Sequence, residues 1–178
     1  MSPAQQWLMA NAYGYADLTP PEVAAINEFC LLWSFFEEWV LENDGNVAAI
    51  KRKVAEAARR EGDMDLMPFE APIAFFTDRY FDGAKMTQTF EGLRFQGKNG
   101  GRAEVEAVLN GNEKGSVEIL SALLIIVYRL RNNLLHGEKW SYRFKDQFGN
   151  FTNANIVLMR AMDVFRSKGL FDPEGAKT

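Results

Sequence analysis

Apolar residues recur along this chain at helical spacing, and most of the runs end at a glycine, an asparagine or a proline. Ile26, Phe29, Trp33, Phe36 and Val40 return every three or four positions, marking one face of a helix. Thr19-Pro20-Pro21-Glu22 opens it: Thr19 caps, proline fills the first turn and Glu22 completes a capping box. The helix is expected to reach about Asn43, where Asp44-Gly45 stops it. Leu32, Phe35 and Trp39 widen its apolar stripe beyond what one neighbour covers, which predicts either a central core helix or a subunit surface. Ser2-Pro3 starts a short N-terminal helix that fades near Gly14. Asn46 caps a helix from Val47 to about Arg60.

The second half reads more regularly than the middle. Arg102 to Leu109 forms a short helix closed by Asn110-Gly111. Ser116 caps a long helix through His136, with Glu118 favoured near its start by the helix dipole. Its middle, Ile119 to Tyr128, is apolar nearly all round and so needs cover on several sides. Trp140 to Asn150 reads as an aromatic, basic loop. Asn153 is placed to cap a last helix carrying Ile156, Met159, Met162, Val164 and Phe165, ended by Gly169. Asp172 to Thr178 is a loose tail. Between these halves, Pro72 to Phe76 opens a helix ending near Asp82-Gly83. Ala84 to Phe95 follows as a helix, though Thr87 to Phe95 tolerates a strand. The expectation is one all-α domain over residues 1–178, with an insertion at about 62–101 whose structure the pattern leaves open. No repeat or linker divides the chain.

Composition narrows the setting. A chain of 178 residues suits one domain with a real core, and fourteen Phe and four Trp must fill an interior or an interface. The net charge of −4 argues against a general nucleic-acid coat protein, because phosphate binding rests on Lys and Arg. Positive charge gathers locally: from Tyr128 to Gln147 there are five basic residues against two acidic ones. Lys51, Arg52, Lys53, Arg59 and Arg60 on the third helix read first as a solvated face, and RNA contact is the second reading. The single Cys30 excludes an intrachain disulfide and reads as a small buried hydrophobe. Met1 to Asp17 lacks the basic start and apolar core of a signal peptide. The longest apolar stretch, Ile119 to Tyr128, falls well short of the ~20 residues of a membrane span. A cytoplasmic, reducing location is expected.

Candidate chemistry concentrates at Arg129-Leu130-Arg131-Asn132-Asn133-Leu134-Leu135-His136-Gly137-Glu138, which holds the only histidine. At ~100° per residue, Asn132 and Arg129 share the face of His136. Arg131 stands ~140° around the barrel, within reach for a long side chain. Gly137 suits the position after a helix end, and the dipole there slightly favours protonated histidine. The plain structural reading is a histidine capping carbonyls, with arginines drawn to the same dipole. Other chemistries lack their residues. There is no Walker glycine loop and no GxSxG elbow. One His and one Cys do not make a zinc site or a di-iron bundle. Glu37-Glu38 are adjacent and point to different faces.

Arg131-Asn132-Asn133-Leu134-Leu135-His136, followed by Gly137-Glu138-Lys139, resembles the signature of the HEPN superfamily: arginine, a polar residue, then histidine after four to six intervening residues. Arg129 also satisfies the spacing, but Leu130 follows it where the family prefers a polar residue. Glu138 stands where the compact toxins often carry tyrosine. The resemblance covers six to eight residues and the helices flanking them. It implies an antiparallel four-helix bundle with additional short helices. It also implies a metal-independent endoribonuclease, needing no cofactor, with Arg131, His136 and Asn132 catalytic. Arg129, Asn133, Lys139 and Arg143 would bind substrate RNA. The implied assembly is a homodimer whose two motifs share a groove, in a toxin or phage-defence setting with an antitoxin or other protein partner. The alternative is a non-catalytic bundle of the same fold that binds a protein or nucleotide.

Overall fold

The computed structural model describes residues 1–60, 64–95, 97, 100–135 and 146–172. Among them the chain is all-helical. The helices are α1 (Pro3–Asn11), α2 (Pro20–Trp39), α3 (Val47–Arg59), α4 (Glu70–Tyr80), α5 (Gln88–Glu91), α6 (Arg102–Leu109), α7 (Ser116–Leu135) and α8 (Phe148–Ser167). Short 3-10 turns at Tyr15–Asp17 and Met67–Phe69 precede α2 and α4. No described helix is long and apolar enough to cross a membrane.

The starts follow from local chemistry. The Ser2 N–H donates to Gln5 Oε1 (2.8 Å) while Ser2 Oγ accepts from the Gln5 N–H, and the Thr19 N–H donates to Glu22 (2.8 Å). Asn46 Oδ1 accepts from the Ala49 N–H (2.9 Å). Each side chain satisfies a donor that a helix end leaves open.

α7 lies at the centre. Every residue from Leu120 to Val127 is buried. α3 and α6 cover part of it and α8 another part, while α2 and α4 pack mainly on α8. Phe29 of α2 meets Phe151 of α8 at 5.1 Å between ring centroids, and Phe36 meets Phe165 at 6.3 Å. Gly149 lets α8 approach α4, since a Cβ there would stand 2.7 Å from the Phe75 ring.

Several expectations need correction. α2 is not the central helix: Leu31 is 73% exposed, and Phe35 and Cys30 are exposed beside it. Cys30 follows buried Phe29 by one residue, ~100° around the helix, which turns it away from α8. Lys53 is not on a solvated face; it is buried, with Nζ 3.1 Å from Glu42 and 3.6 Å from Glu56. Its basic neighbours are also engaged: Lys51 with Glu104, Arg52 with Asp44, Arg60 with Glu56, and Arg59 on the Ala55 carbonyl. α2 ends at Trp39, short of Asn43, because Glu42 and Asn43 both adopt positive φ. α8 starts at Phe148 rather than after Asn153. Two buried bonds and one exposed bond set that start: Tyr80 Oη donates to Asn150 Oδ1 and Asn150 Nδ2 to Gln147 Oε1 inside, while Arg79 donates to the Asp146 carbonyl at the surface.

The stretch at 62–101 joins the core instead of decorating it. Its described residues form α4, a tight turn bridging Phe81 and Met86, and the single turn α5. The helix expected over 84–95 is thus only four residues long. Asp82 Oδ1 accepts from the Ala84 and Lys85 N–H groups, with Gly83 at φ +93°, and so bends the chain where a helix would have begun. Phe69, Phe76, Tyr80, Phe90 and Leu93 are all buried. Arg102 ties α5 to α6 through two 2.7 Å contacts to Glu91, a third to Glu106, and a guanidinium 5.0 Å from the Phe90 ring centroid.

Two outcomes follow. Gly101 has φ +81°, and a Cβ there would lie 2.8 Å from Ile125 Cγ2, whereas at Gly111, φ +77°, it would come only within 4.0 Å of the flexible Lys114 Cε. Gly101→Ala is expected to cost about 1–3 kcal/mol in urea unfolding, and more than Gly111→Ala; equal costs would refute the contact with α7. The Arg102 side chain also holds the Glu91 carboxyl below its ordinary pKa. A depressed carboxylate contributes stability above its unfolded pKa and loses it as pH falls through the folded one. The urea midpoint gap between wild type and Arg102→Met should therefore be full at neutral pH and shrink below about pH 4.

Candidate functional site

The motif residues on α7 divide between two faces. Arg129 and Asn133 are four apart and point the same way. Arg129 is buried; Nε donates to the Leu93 carbonyl (3.0 Å) and Nη2 to the Arg94 carbonyl. Asn133 Nδ2 donates to the Gly92 carbonyl (2.8 Å). Together they hold three consecutive carbonyls after α5. The Phe95 and Tyr128 rings lie 5.8 and 5.9 Å from the Arg129 guanidinium. Burial lowers the pKa of Arg129 from its ordinary value, yet arginine remains cationic in proteins. Both residues are therefore committed to backbone acceptors, which leaves little of either for a phosphate.

Arg131 and Asn132 face elsewhere. The Arg131 guanidinium stacks on Trp33 of α2, 5.5 Å from the ring centroid. Its Nη2 lies 3.2 Å from both Glu37 oxygens, and its Nη1 donates to Asn132 Oδ1 (3.0 Å). Trp33 Nε1 donates to Glu37 Oε2 (2.8 Å), so one carboxylate receives both the tryptophan and the arginine. Tyr128 extends the stack, 6.0 Å from Trp33 between centroids. Arg131 keeps 24% of its side chain exposed and Glu37 22%. Among the described residues, Arg131 Nε is buried without a partner. Gly45 makes room for this carboxylate: a Cβ there would stand 1.8 Å from Glu37 Oε1.

A planar cation is thus held over an indole by a part-buried carboxylate, with an amide at its side. The arrangement fixes the guanidinium plane and leaves the side chain part-exposed; a planar, oriented fork is the form in which arginine recognises phosphate or carboxylate. The positive charge is already opposed by Glu37, so an incoming anion shares or displaces that carboxylate. His136, Lys139 and Arg143 lie outside the described residues.

Trp33 and Glu37 escaped the sequence reading. Their four-residue spacing on α2 was visible, but Glu37 was weighed only against its neighbour Glu38. Nothing in the sequence reports a pairing across 94 positions.

Compared with known proteins, the chain matches no family model, no curated protein and no solved structure. The resemblance at residues 129–139 stands on those residues alone.

The division of faces has a measurable consequence. Arg129→Ala removes a buried side chain that holds the Leu93 carbonyl, buried, and the Arg94 carbonyl, part-buried, and is expected to cost about 2–3 kcal/mol. Arg131→Ala, at a part-exposed pair, should cost about 1 kcal/mol or less. Urea unfolding of the two variants checks this, and a larger loss at Arg131 would reverse the assignment.

Proposed function

We propose that this protein is a metal-independent endoribonuclease of HEPN type, with Arg131 as the phosphate-binding arginine and His136 as the proton-transfer residue. In this reading α2, α3, α7 and α8 are the four-helix bundle of that superfamily, and the remaining helices are additions. One observation carries the choice of arginine. Arg129 is spent on the Leu93 and Arg94 carbonyls, whereas Arg131 is part-exposed, oriented by Trp33 and Glu37, and five residues ahead of His136 in sequence.

The chemistry fits those residue types. Cleavage needs a proton taken from the 2′-hydroxyl, charge stabilised on the phosphorane, and a proton given to the 5′-oxygen. Histidine titrates near neutrality and serves the proton steps. Arginine offers a permanent charge and a fork to the phosphate oxygens. One histidine does not readily serve both sides of the phosphorus at once. A second copy of the chain across a two-fold axis supplies the other. The products are a 2′,3′-cyclic phosphate and a 5′-hydroxyl. Asn132, in contact with Arg131, is the third catalytic residue of this reading and orients the guanidinium. The toxin or defence setting, a cytoplasmic location and an antitoxin-like protein partner belong to the same proposal and rest on the resemblance.

A second reading has its own support. The Glu37 carboxylate already engages Arg131, and Lys51, Arg52 and Lys53 of α3 are paired with acids. Those features suit a non-catalytic bundle in which Arg131 is part of the internal framework.

The test is cleavage of a mixed RNA pool in EDTA by wild type, Arg131→Ala and His136→Ala, with folding and dimerisation checked first. Cleavage by wild type that leaves cyclic ends and drops by ~100-fold or more in both variants is the expected result. Activity that survives His136→Ala, or a monomeric wild type with full activity, would sink the proposal. Silence from all three proteins favours the second reading.

A further inference from the structure

A guanidinium offers an oxyanion two forks, Nε with Nη2 along its side and Nη1 with Nη2 across its end. Both forks need Nη2. In Arg131 that nitrogen lies 3.2 Å from each oxygen of Glu37. Nη1 donates to Asn132 Oδ1 (3.0 Å), and among the described residues Nε is buried with no acceptor. Glu37 therefore occupies the nitrogen common to both forks and completes neither.

The seat has a second donor. Trp33 is buried, and its Nε1 donates to Glu37 Oε2 at 2.8 Å. Trp33 and Glu37 are four apart on α2, so the indole N–H and the carboxylate meet on one face. Gly45 leaves the space that the carboxylate fills: a Cβ there would stand 1.8 Å from Oε1 and 2.8 Å from Cδ. Two N–H donors from different helices, Arg131 Nη2 and Trp33 Nε1, thus converge on one anionic group at a part-exposed position. A phosphate oxygen in that place inherits both donors. A second phosphate oxygen on Nε or Nη1 makes the bidentate contact that Glu37 leaves half made. An ion pair this exposed is weak, so a polyanion held at further points is able to displace it.

We propose that Glu37 is a built-in competitor of the substrate phosphate: it fills the anion seat formed by Arg131 Nη2 and Trp33 Nε1, and RNA binds there by displacing it. The proposal rests on the reading of Arg131 as the phosphate-binding arginine. It adds a regulation of that site, because every productive encounter must first release Glu37. Removing the carboxylate therefore strengthens binding, whereas a purely structural ion pair would leave binding unchanged or weaken it.

The probe is a fluorescently labelled 2′-O-methyl oligoribonucleotide, whose blocked 2′-oxygen bars cleavage. Its affinity for the full chain is read by anisotropy at fixed ionic strength, after thermal melting has confirmed that each variant is folded. Glu37→Gln keeps an oxygen for Trp33 Nε1, removes the charge, and is expected to tighten binding about fivefold. Gly45→Ala pushes the carboxylate aside with no change of charge, at a backbone position outside the left-handed region, and should tighten it severalfold. Glu38→Gln makes the same charge change at an exposed neighbour and should stay within about twofold of wild type. Arg131→Ala should weaken binding about tenfold, and in that background Glu37→Gln should add nothing. Unchanged or weaker binding by Glu37→Gln, an equal gain from Glu38→Gln, the same gain without Arg131, or no binding by wild type and Glu37→Gln alike would each overturn the proposal. The gain in affinity without RNA cleavage would keep this proposal and remove the enzyme. Cleavage that needs Arg131 and His136, with no gain from Glu37→Gln, would do the reverse.

Discussion

The fold depends on covering α7. Eight consecutive residues, Leu120 to Val127, are buried, so no single neighbour suffices and water must be kept from every side of the helix. α3 brings Ile50, Val54 and Ala57 to the core, α6 brings Val105 and Leu109, and α8 brings Phe151, Val157, Leu158 and Phe165. The near-absence of a polar face on α7 also explains why its few polar residues matter. Each must meet a partner inside the protein or reach its edge.

Arg129 and Asn133 meet partners. They bind the carbonyls of Gly92, Leu93 and Arg94, which draws the turn after α5 onto the helix and makes the 64–95 region part of the core. Arg131 and Asn132 reach the edge, where Trp33 and Glu37 fix the guanidinium. The same helix thus uses one pair of residues for architecture and presents the next pair to solvent. The cause is geometric: each residue advances ~100° around the axis, so neighbours in sequence look in different directions.

α2 shows the opposite balance. Its strongly apolar sequence matched a central helix, but its buried face is met mainly by α8, with Trp33 reaching Tyr128 and Arg131 of α7, leaving Cys30, Leu31 and Phe35 exposed. Hydrophobicity sets how much surface a helix needs to bury, not which neighbours are available to bury it. Lys53 makes the complementary point. It was assigned to a solvated face on charge, yet Glu42 and Glu56 make its burial tolerable.

The sequence by itself determined the helices with strong local signals. The Ser2-Pro3 start, the Thr19 capping box, the Asn46 cap, the long apolar run of α7 and the glycines at turns all act within a few residues, so their chemistry is readable from spacing. It also singled out the 129–138 segment as the place to look for chemistry. Tertiary structure alone decided which arginine is buried and which stays accessible, and that Glu37 and Trp33 complete the site. It also decided that α8 begins at Phe148, through Tyr80 and Arg79 of α4. These are contacts between residues 67–94 positions apart. Their energies come from burial and hydrogen bonding across elements, which no local pattern encodes.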